Sequence, residues 1–562
     1  MLGKRPAFTL IAVLALALGI GANTAVFSVI RGVMLRPLPF LSPEKLVAIW
    51  ESNLKGNAPQ EASSPLNFKD WREQNRCFED MAAMGGAQAT LSGDGDAEVV
   101  VGSAVSTNFF NLIGVAPAMG RVFEAADLQN EVIVISDGFW TRRFGRSPNI
   151  IGRKVRFSQM TGTGQGSVQT IVGVMAPDFQ PPNVDGLVQR EFWRPLHAAD
   201  LLSDPSTRRY DYLRVYARMR PGITFAQARV EMKSLTGRLA DQYPADNRAW
   251  EIQVNSLADA TAHNVKQPLW LLLGAAAMLL LTACANVANL CLARASERAR
   301  EFAIRTALGG GAGRLVRQLL TESLTLGLIG GVAGLALGIA TLRGMLLIGG
   351  QFLPRISDVR MDWTVMLFAF LVACATSVIF GILPARHAVQ SGLSESLNKF
   401  SRGRAGSVLV AAEVALTLVL LIASGLLLRS FWSVQAVPLG FEPSHLLTAA
   451  VRLPGTPQDI VPAVRLLTDF LDRVERLPGV TSAGAISAAP LTGNGHNAFL
   501  IEGRPAPDQN TIQDAVLSVV SPGHFRTMGI ALRRGRYPMS RASRRLRCHR
   551  SICRTSSFRY YE

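Results

Sequence analysis

The stretch QPLWLLLGAAAMLLLTACANVANLCLARASERAREFAIRTALGGGAGRLVRQLLTESLTLGLIGGVAGLALGIATL, from Gln267 to Leu342, decides the fold. Leu269 to Ala293 is an uncharged apolar run. At 1.5 Å per residue it is long enough to cross a hydrocarbon layer roughly 30 Å thick. Ser323 to Leu342 is a second such run. Between them, Arg294 to Arg317 carries six Arg against two Glu. A short connection that basic belongs on the cytoplasmic side. The stretch therefore reads as a membrane hairpin with a charged insert presented inward.

In the second run, Gly330, Gly334 and Gly338 fall at every fourth residue, and Gly327 and Gly331 make a second pair at that spacing. Small residues on one helical face let another backbone approach closely, which is how helices associate in lipid. We read these five glycines as helix-packing positions.

Working outward, Pro6 to Ile30 is uncharged and follows Lys4 and Arg5. A secretory leader has an apolar core of about 7–15 residues. This run is longer, which favours an uncleaved first span with its N-terminus in the cytoplasm. Trp363 to Ala385 and Ser407 to Leu428 are two further apolar runs, flanking another basic connection, Arg386 to Arg404. The count is five spans. Glu413 lies inside the last of them, and Glu322 stands at the inner mouth of the third. An intramembrane carboxylate is a functional candidate. For both acids, reaching back to the inner headgroups is the competing reading.

Arg31 to Lys266 is polar and turn-rich. Short strand-like runs occur at Glu98 to Gly102, Glu131 to Ser136 and Thr170 to Val174. Phe225, Ala228, Met232, Leu235 and Leu239 recur at helical spacing after Thr224, a good N-cap. The region reads as an α+β domain outside the membrane. The glycine-rich TGTGQG, Thr161 to Gly166, has no following lysine and reads as a hairpin tip rather than a phosphate loop.

The composition agrees. With 48% hydrophobic residues and a mean hydropathy of +0.22, the chain is too apolar for an ordinary soluble enzyme and too polar for an all-membrane bundle. The net charge of +17 is concentrated: Arg533 to Glu562 alone holds ten Arg and one Glu. No stacking-aromatic pattern accompanies it, so nucleic acid is not an expected partner. The six Cys include no CxxC, and the seven His form no ligand pair. Neither a disulfide framework nor a metal site is expected.

An internal repeat adds to this. VSTNFFNLIGVAPAMGR (Val105 to Arg121) aligns without gaps on VSPGHFRTMGIALRRGR (Val520 to Arg536), with seven of seventeen positions identical. PFLSPEKLV (Pro39 to Val47) is echoed by GFEPSHLL (Gly440 to Leu447). A span followed by an outer domain thus begins twice. The domains expected are a first span (1–30), an α+β domain (31–266), a three-span unit (267–400), a fifth span (401–428), a partial second outer domain (429–538) and an aberrant basic tail (539–562). The tail reads as the frameshifted or truncated end of a doubled gene.

The insert, ERAREFAIRTALGGG (Glu297 to Gly311), followed by RQLLTESL (Arg317 to Leu324), resembles the ABC-transporter permeases of the MacB/FtsX superfamily. The opening LALGIGANTAVFSVI (Leu16 to Ile30) and the doubled layout resemble that family's duplicated orphan-permease branch, found in acidobacteria. The resemblance implies an α-helical membrane protein with α+β extracytoplasmic domains of MacB periplasmic-core type, in a bacterial inner membrane. It also implies ATPase coupling through Arg298, Arg300, Glu301, Ile304, Arg305, Leu308 and Gly309. Glu301 and Arg305 stand in the favourable i,i+4 order on a helix. No GxxxxGK[ST] occurs in the chain, so ATP would be used by a separate ABC ATPase subunit and no cofactor is expected in this chain. The other partners expected are membrane lipid and a second permease half or a homodimer mate. Two functions stay open besides a permease that transmits ATP-driven motion outward. One is a signalling protein that regulates an extracytoplasmic partner such as a cell-wall hydrolase. The other is a non-functional truncated duplicate. A membrane-anchored enzyme is weakest, because no nucleophile–base motif is present.

Overall fold

The structure, a computed structural model, describes residues 6–53, 58–93, 95–160, 166–177, 179–182, 190–197, 208, 211–248, 250–297, 312–349, 355–390, 399–451, 460–490, 496–499, 513–516, 518–534 and 537. The chain divides into two compact units.

Helix α1 (Pro6–Ile30) opens the chain and widens into a π-turn at Arg31–Leu35. A mixed sheet of 11 strands follows: β1 (Leu46–Asn53), β2 (Ala58–Glu61), β3 (Phe78–Gly93), β4 (Gly95–Val105), β5 (Met119–Gly120), β6 (Val132–Ile135), β7 (Lys154–Met160), β8 (Ser167–Val174), β9 (Phe192–Pro195), β10 (Arg214–Met219) and β11 (Glu251–Ser256). Its path runs β11-β1-β10-β3-β4-β9-β6-β8-β5. Helices α2 (Pro65–Gln74), α3 (Phe109–Ile113), α4 (Asp137–Phe144), α5 (Phe225–Gln242) and α6 (Pro244–Asn247) accompany it.

The 16-residue β3 serves two cores. Its odd-numbered side chains share one face, as strand alternation requires. Met81 and Ala83 join Phe68 and Trp71 of α2 and Met232 and Leu235 of α5. Ala87, Ala89 and Leu91 join Ile133, Phe139, Phe157 and Phe192 further along. Each fully buried Phe or Leu contributes about 1.5–3 kcal/mol. Thr224 N-caps α5 in a capping box with Gln227, which is worth about 1 kcal/mol. The strands β7 and β8 pair antiparallel from Lys154↔Thr170 to Phe157↔Ser167. The expected hairpin tip between them falls largely outside the described residues, as does the basic tail.

The other unit is helical: α1 with α7 (Leu257–Glu297), α8 (Ala312–Gly349), α9 (Trp363–Gln390) and α10 (Lys399–Gln435). The helix expected to begin at Leu269 begins at Leu257 instead, and Pro268 lies inside it. Ala262 and Leu269, on either side of that proline, are buried against α1 residues such as Val29 and Ile30. Tertiary packing of this kind overrides a local breaker. By length and composition, Pro6–Leu35, Leu257–Cys291, Leu320–Gly349 and Val410–Gln435 can each cross a membrane, and Trp363–Val378 is a shorter apolar run. None of the apolar window of α10 is buried. Beyond α10 come α11 (Ile460–Glu475), β12 (His496–Phe499), β13 (Gln513–Val516) and α12 (His524–Thr527). The two short strands pair antiparallel.

Candidate functional site: the glycine-faced helix and its neighbours

Helix α8 lies against both α1 and α9. Its glycines face them in two columns. A Cβ on Gly330 would stand 2.8 Å from the Leu16 Cβ, one on Gly334 would stand 2.9 Å from the Ile20 Cβ, and one on Gly338 would stand 3.2 Å from the Gly21 carbonyl oxygen. That column meets α1. The second column meets α9: a Cβ on Gly331 would stand 2.9 Å from the Ala373 Cβ, and one on Gly327 would overlap the Ser377 hydroxyl. The approach is mutual, because a Cβ on Gly21 would stand 2.9 Å from the Gly334 carbonyl oxygen. Side chains larger than hydrogen have no room here.

Polar side chains inside the bundle satisfy themselves on backbone. Asn23 Nδ2 donates to the Gly19 carbonyl at 2.9 Å and across to the Ala276 carbonyl of α7 at 2.6 Å. Thr24, Ser28 and Ser377 each donate to the carbonyl four residues back, as hydroxyls do in apolar helices. Phe27 stacks on Phe368 with ring centroids 3.9 Å apart.

At one end of the bundle, Arg31 grips Asp362. Its Nε donates at 3.0 and 2.8 Å to the two carboxylate oxygens, and Nη2 lies 2.8 Å from Oδ2. Asp362 also accepts from the Val365 N–H and so caps α9. The Arg31 hydrogen bond holds the Asp362 carboxyl below its usual range. Arg355 pairs with Asp358 at 2.8 Å and donates to the Arg36 carbonyl at 2.9 Å, tying the segment before α9 to the end of α1.

The seven expected coupling residues, Arg298, Arg300, Glu301, Ile304, Arg305, Leu308 and Gly309, lie outside the described residues. Their flanks are helical: α7 continues to Glu297, and α8 begins at Ala312. Glu322, immediately before the apolar run of α8 that starts at Ser323, accepts from Gln318 at 3.4 Å. Glu413 of α10 accepts from Asn289 Nδ2 of α7 at 3.0 Å. The sequence reading passed over Asn23, Asn289, Arg31 and Asp362. The two asparagines interrupt apolar runs, which is a signal in itself.

A second polar cluster is buried in the α+β domain. Glu51 accepts from Ser63 Oγ at 3.2 Å and from Asn67 Nδ2 at 2.9 Å. Asn67 Oδ1 accepts from Arg208 at 2.6 Å. Arg208 pairs with Asp70 at 2.7 Å and lies over the Tyr243 ring at 3.7 Å. Burial, opposed by those hydrogen bonds, pushes the Glu51 carboxyl up to about 7. Among the described residues, Cys77, Cys284 and Cys374 are free, and no group of His, Cys, Asp and Glu could hold a metal ion.

Comparison with known proteins agrees with this architecture. Residues 9–235 match the family described as MacB-like periplasmic core domain, and residues 273–393 match FtsX-like permease C-terminal. The pyoverdine export ATP-binding/permease protein PvdT of Pseudomonas aeruginosa is 30% identical over 314 residues, covering 55% of this chain and 44% of that protein. The macrolide export ATP-binding/permease protein MacB of Marinobacter nauticus is 38% identical over 133 residues, 24% of this chain and 20% of that one. The chain thus spans less than half the length of these curated relatives. The crystal structure of the periplasmic region of MacB from Actinobacillus actinomycetemcomitans is 12% identical and aligns over 44% of this chain and 97% of its own, with a TM-score of 0.29.

Proposed function

From a chain that carries the two domains of the MacB/FtsX permease superfamily, a MacB-like periplasmic core joined to an FtsX-like permease domain, we propose a permease component of an ABC-type exporter. The observation that supports this most is the wedging of α8 between α1 and α9 on bare backbone. A helix held that way moves its neighbours when it moves. The insert 298–311 roots directly in α7 and α8. In this reading a separate cytoplasmic ATPase pushes on the insert, through Arg298, Arg300, Glu301, Ile304, Arg305, Leu308 and Gly309. The bundle passes the motion to the extracytoplasmic domain. ATP is then the partner's cofactor and not this chain's.

The finer topology follows the same reading. Trp363–Gln390 is the span that completes five, the N-terminus is cytoplasmic, and the membrane is the bacterial inner membrane. The active unit holds two permease halves, from two chains or from a doubled one. The intramembrane acid Glu413, held by Asn289, positions α10. A regulator of an extracytoplasmic partner such as a wall hydrolase would use the same moving parts and differ only in what the outer domain touches.

Affinity purification of the full-length chain from its native membrane tests the proposal. ATP hydrolysis should co-elute, and Arg305→Glu should reduce it at least tenfold without changing the yield of chain. Wild-type chain that elutes free of ATPase, or an Arg305→Glu variant with full co-eluting activity, would overturn it.

A further inference from the structure

The α+β domain holds a small cavity where β1, α2, α5 and α6 meet. Its inner wall includes Glu51, Asn67, Trp71 and Asn247, each at most 6% exposed. Its outer wall is Trp250 with the first two residues of β11, Glu251 and Ile252, all of them open to solvent in part or in full. The whole space, mouth included, is about 230 Å³, and within it there is room for about one water-sized group.

The Glu51 carboxylate has one oxygen in use and one to spare. Oε1 accepts from Ser63 Oγ at 3.2 Å, from the Ser64 N–H at 3.4 Å and from Asn67 Nδ2 at 2.9 Å. Among the described residues, none of its bonds falls on Oε2. The nearest guanidinium is engaged elsewhere: Arg208 pairs with Asp70 at 2.7 Å, lies over the Tyr243 ring at 3.7 Å and donates to Asn67 rather than to Glu51. The other charges around the carboxylate are acids. Glu61 faces Glu51 across the β1–β2 pair, Asp211 feels the charge of both, and Glu251 stands in the mouth. Asn247 Oδ1, whose bond from Asn67 Nδ2 is long at 3.4 Å, is a second acceptor on the same wall.

These features select by charge and by size. A buried carboxylate is costly unless a cation pairs with it, and indole rings favour a cation beside them. A primary ammonium head is about the size of a water molecule and carries three N–H donors, as a lysine does. We propose that the cavity binds a primary alkylammonium ion, its head on Glu51 Oε2 and Asn247 Oδ1 and its tail along Trp250 in the mouth. This inference goes beyond the exporter reading and does not depend on it. Burial holds the Glu51 carboxyl up at about 7 in the empty site. Below that pH, binding ionises it, and one proton leaves as one ammonium ion enters.

The test titrates full-length chain, in nanodiscs of zwitterionic phosphatidylcholine, with n-butylammonium chloride at constant ionic strength in a calorimeter. Saturable binding of one ion per chain is expected, with affinity rising about tenfold from pH 5 to pH 6. Glu51→Gln keeps an oxygen for the Ser63, Ser64 and Asn67 donors and loses the charge. Its affinity should fall at least tenfold at pH 7 and no longer rise with pH. Should Glu51→Gln not fold, Trp250→Ala at the partly exposed mouth should weaken binding at least threefold. n-Butanol lacks the charge and tetramethylammonium lacks the N–H donors, so each should bind at least tenfold more weakly. No saturable heat with butylammonium, equal affinity for tetramethylammonium, or unchanged affinity in the variants overturns the proposal.

Discussion

Ile20 of α1 occupies the place a side chain on Gly334 of α8 would need: a Cβ there would stand 2.9 Å from the Ile20 Cβ and 3.3 Å from the Ala17 carbonyl oxygen. Gly334→Val must therefore part the two helices. Overpacking of this kind costs about 1–3 kcal/mol. Gly344, on the same helix, has nothing within 4 Å of its would-be Cβ, so Gly344→Val should change little. Thermal unfolding of the two variants in detergent separates them, and equal midpoints would contradict the close approach.

Asp362 does two jobs, pairing with Arg31 and capping α9 through the Val365 N–H. Asp362→Asn keeps an oxygen for the cap and loses the charge. Asp362→Ala loses both. The pair is about a quarter to a third exposed, so the charge is worth at most about 1 kcal/mol, and the cap adds about 1 kcal/mol. Stability should fall in the order wild type, Asn, Ala. A variant series in which Ala and Asn are equal would remove the capping role.

Glu51 gives the α+β domain a pH dependence. Its carboxyl is raised from 4.5 to about 7 by burial, so the folded state binds the extra proton between those values. Stability is then fully present below about pH 4.5 and declines as the pH rises through 7. The change is on the order of 3 kcal/mol at most. Glu51→Gln should reduce the slope of the unfolding midpoint between pH 5 and 8 and be the more stable protein at pH 8, with Asp211, which burial and then the charge of Glu51 push up to about 8, carrying the slope that remains. Asp127, whose carboxyl is lowered by Arg121, loses stability in the opposite direction and only at more acid pH. An unchanged slope in Glu51→Gln would exonerate this residue.

Ser106→Ala strands the Ala83 N–H, which is buried, at a cost of about 1–3 kcal/mol. Ser521→Ala removes the same bond where Ala485 is only half-buried, so water can replace it and the cost should be under about 1 kcal/mol. Exchange rates of the Ala83 and Ala485 amides measure both directly.

The sequence was informative where the signal is local. Thr224 and Gln227 spell out their capping box within four residues. The fourfold glycine spacing marks a packing face, but it does not say that there are two. Gly330 and Gly331 are adjacent in sequence and about 100° apart around the helix, so they meet different partners, Leu16 and Ala373. Partner identity is set by tertiary rotation, which spacing alone does not carry. The long strand β3 was missed for a different reason. Its middle, Ala82 to Ala87, is almost entirely Ala and Gly, residues with little strand preference, and only its pairing with β4 and β10 makes it extended. Asn289 and Glu413 meet across 124 residues, a distance over which no local pattern operates.

The column Gly330, Gly334, Gly338 has one more property, set by its period. Four residues rise about 6 Å, so α8 displaced by one period along α1 would bring a glycine back opposite two of the three seats it had left. Turning α8 about its own axis offers no equivalent, because side chains adjoin the column: Ile329 before Gly330, Leu335 after Gly334, and Leu337 and Ile339 beside Gly338. The joint between these helices is keyed: it resists twisting and admits axial travel in discrete steps.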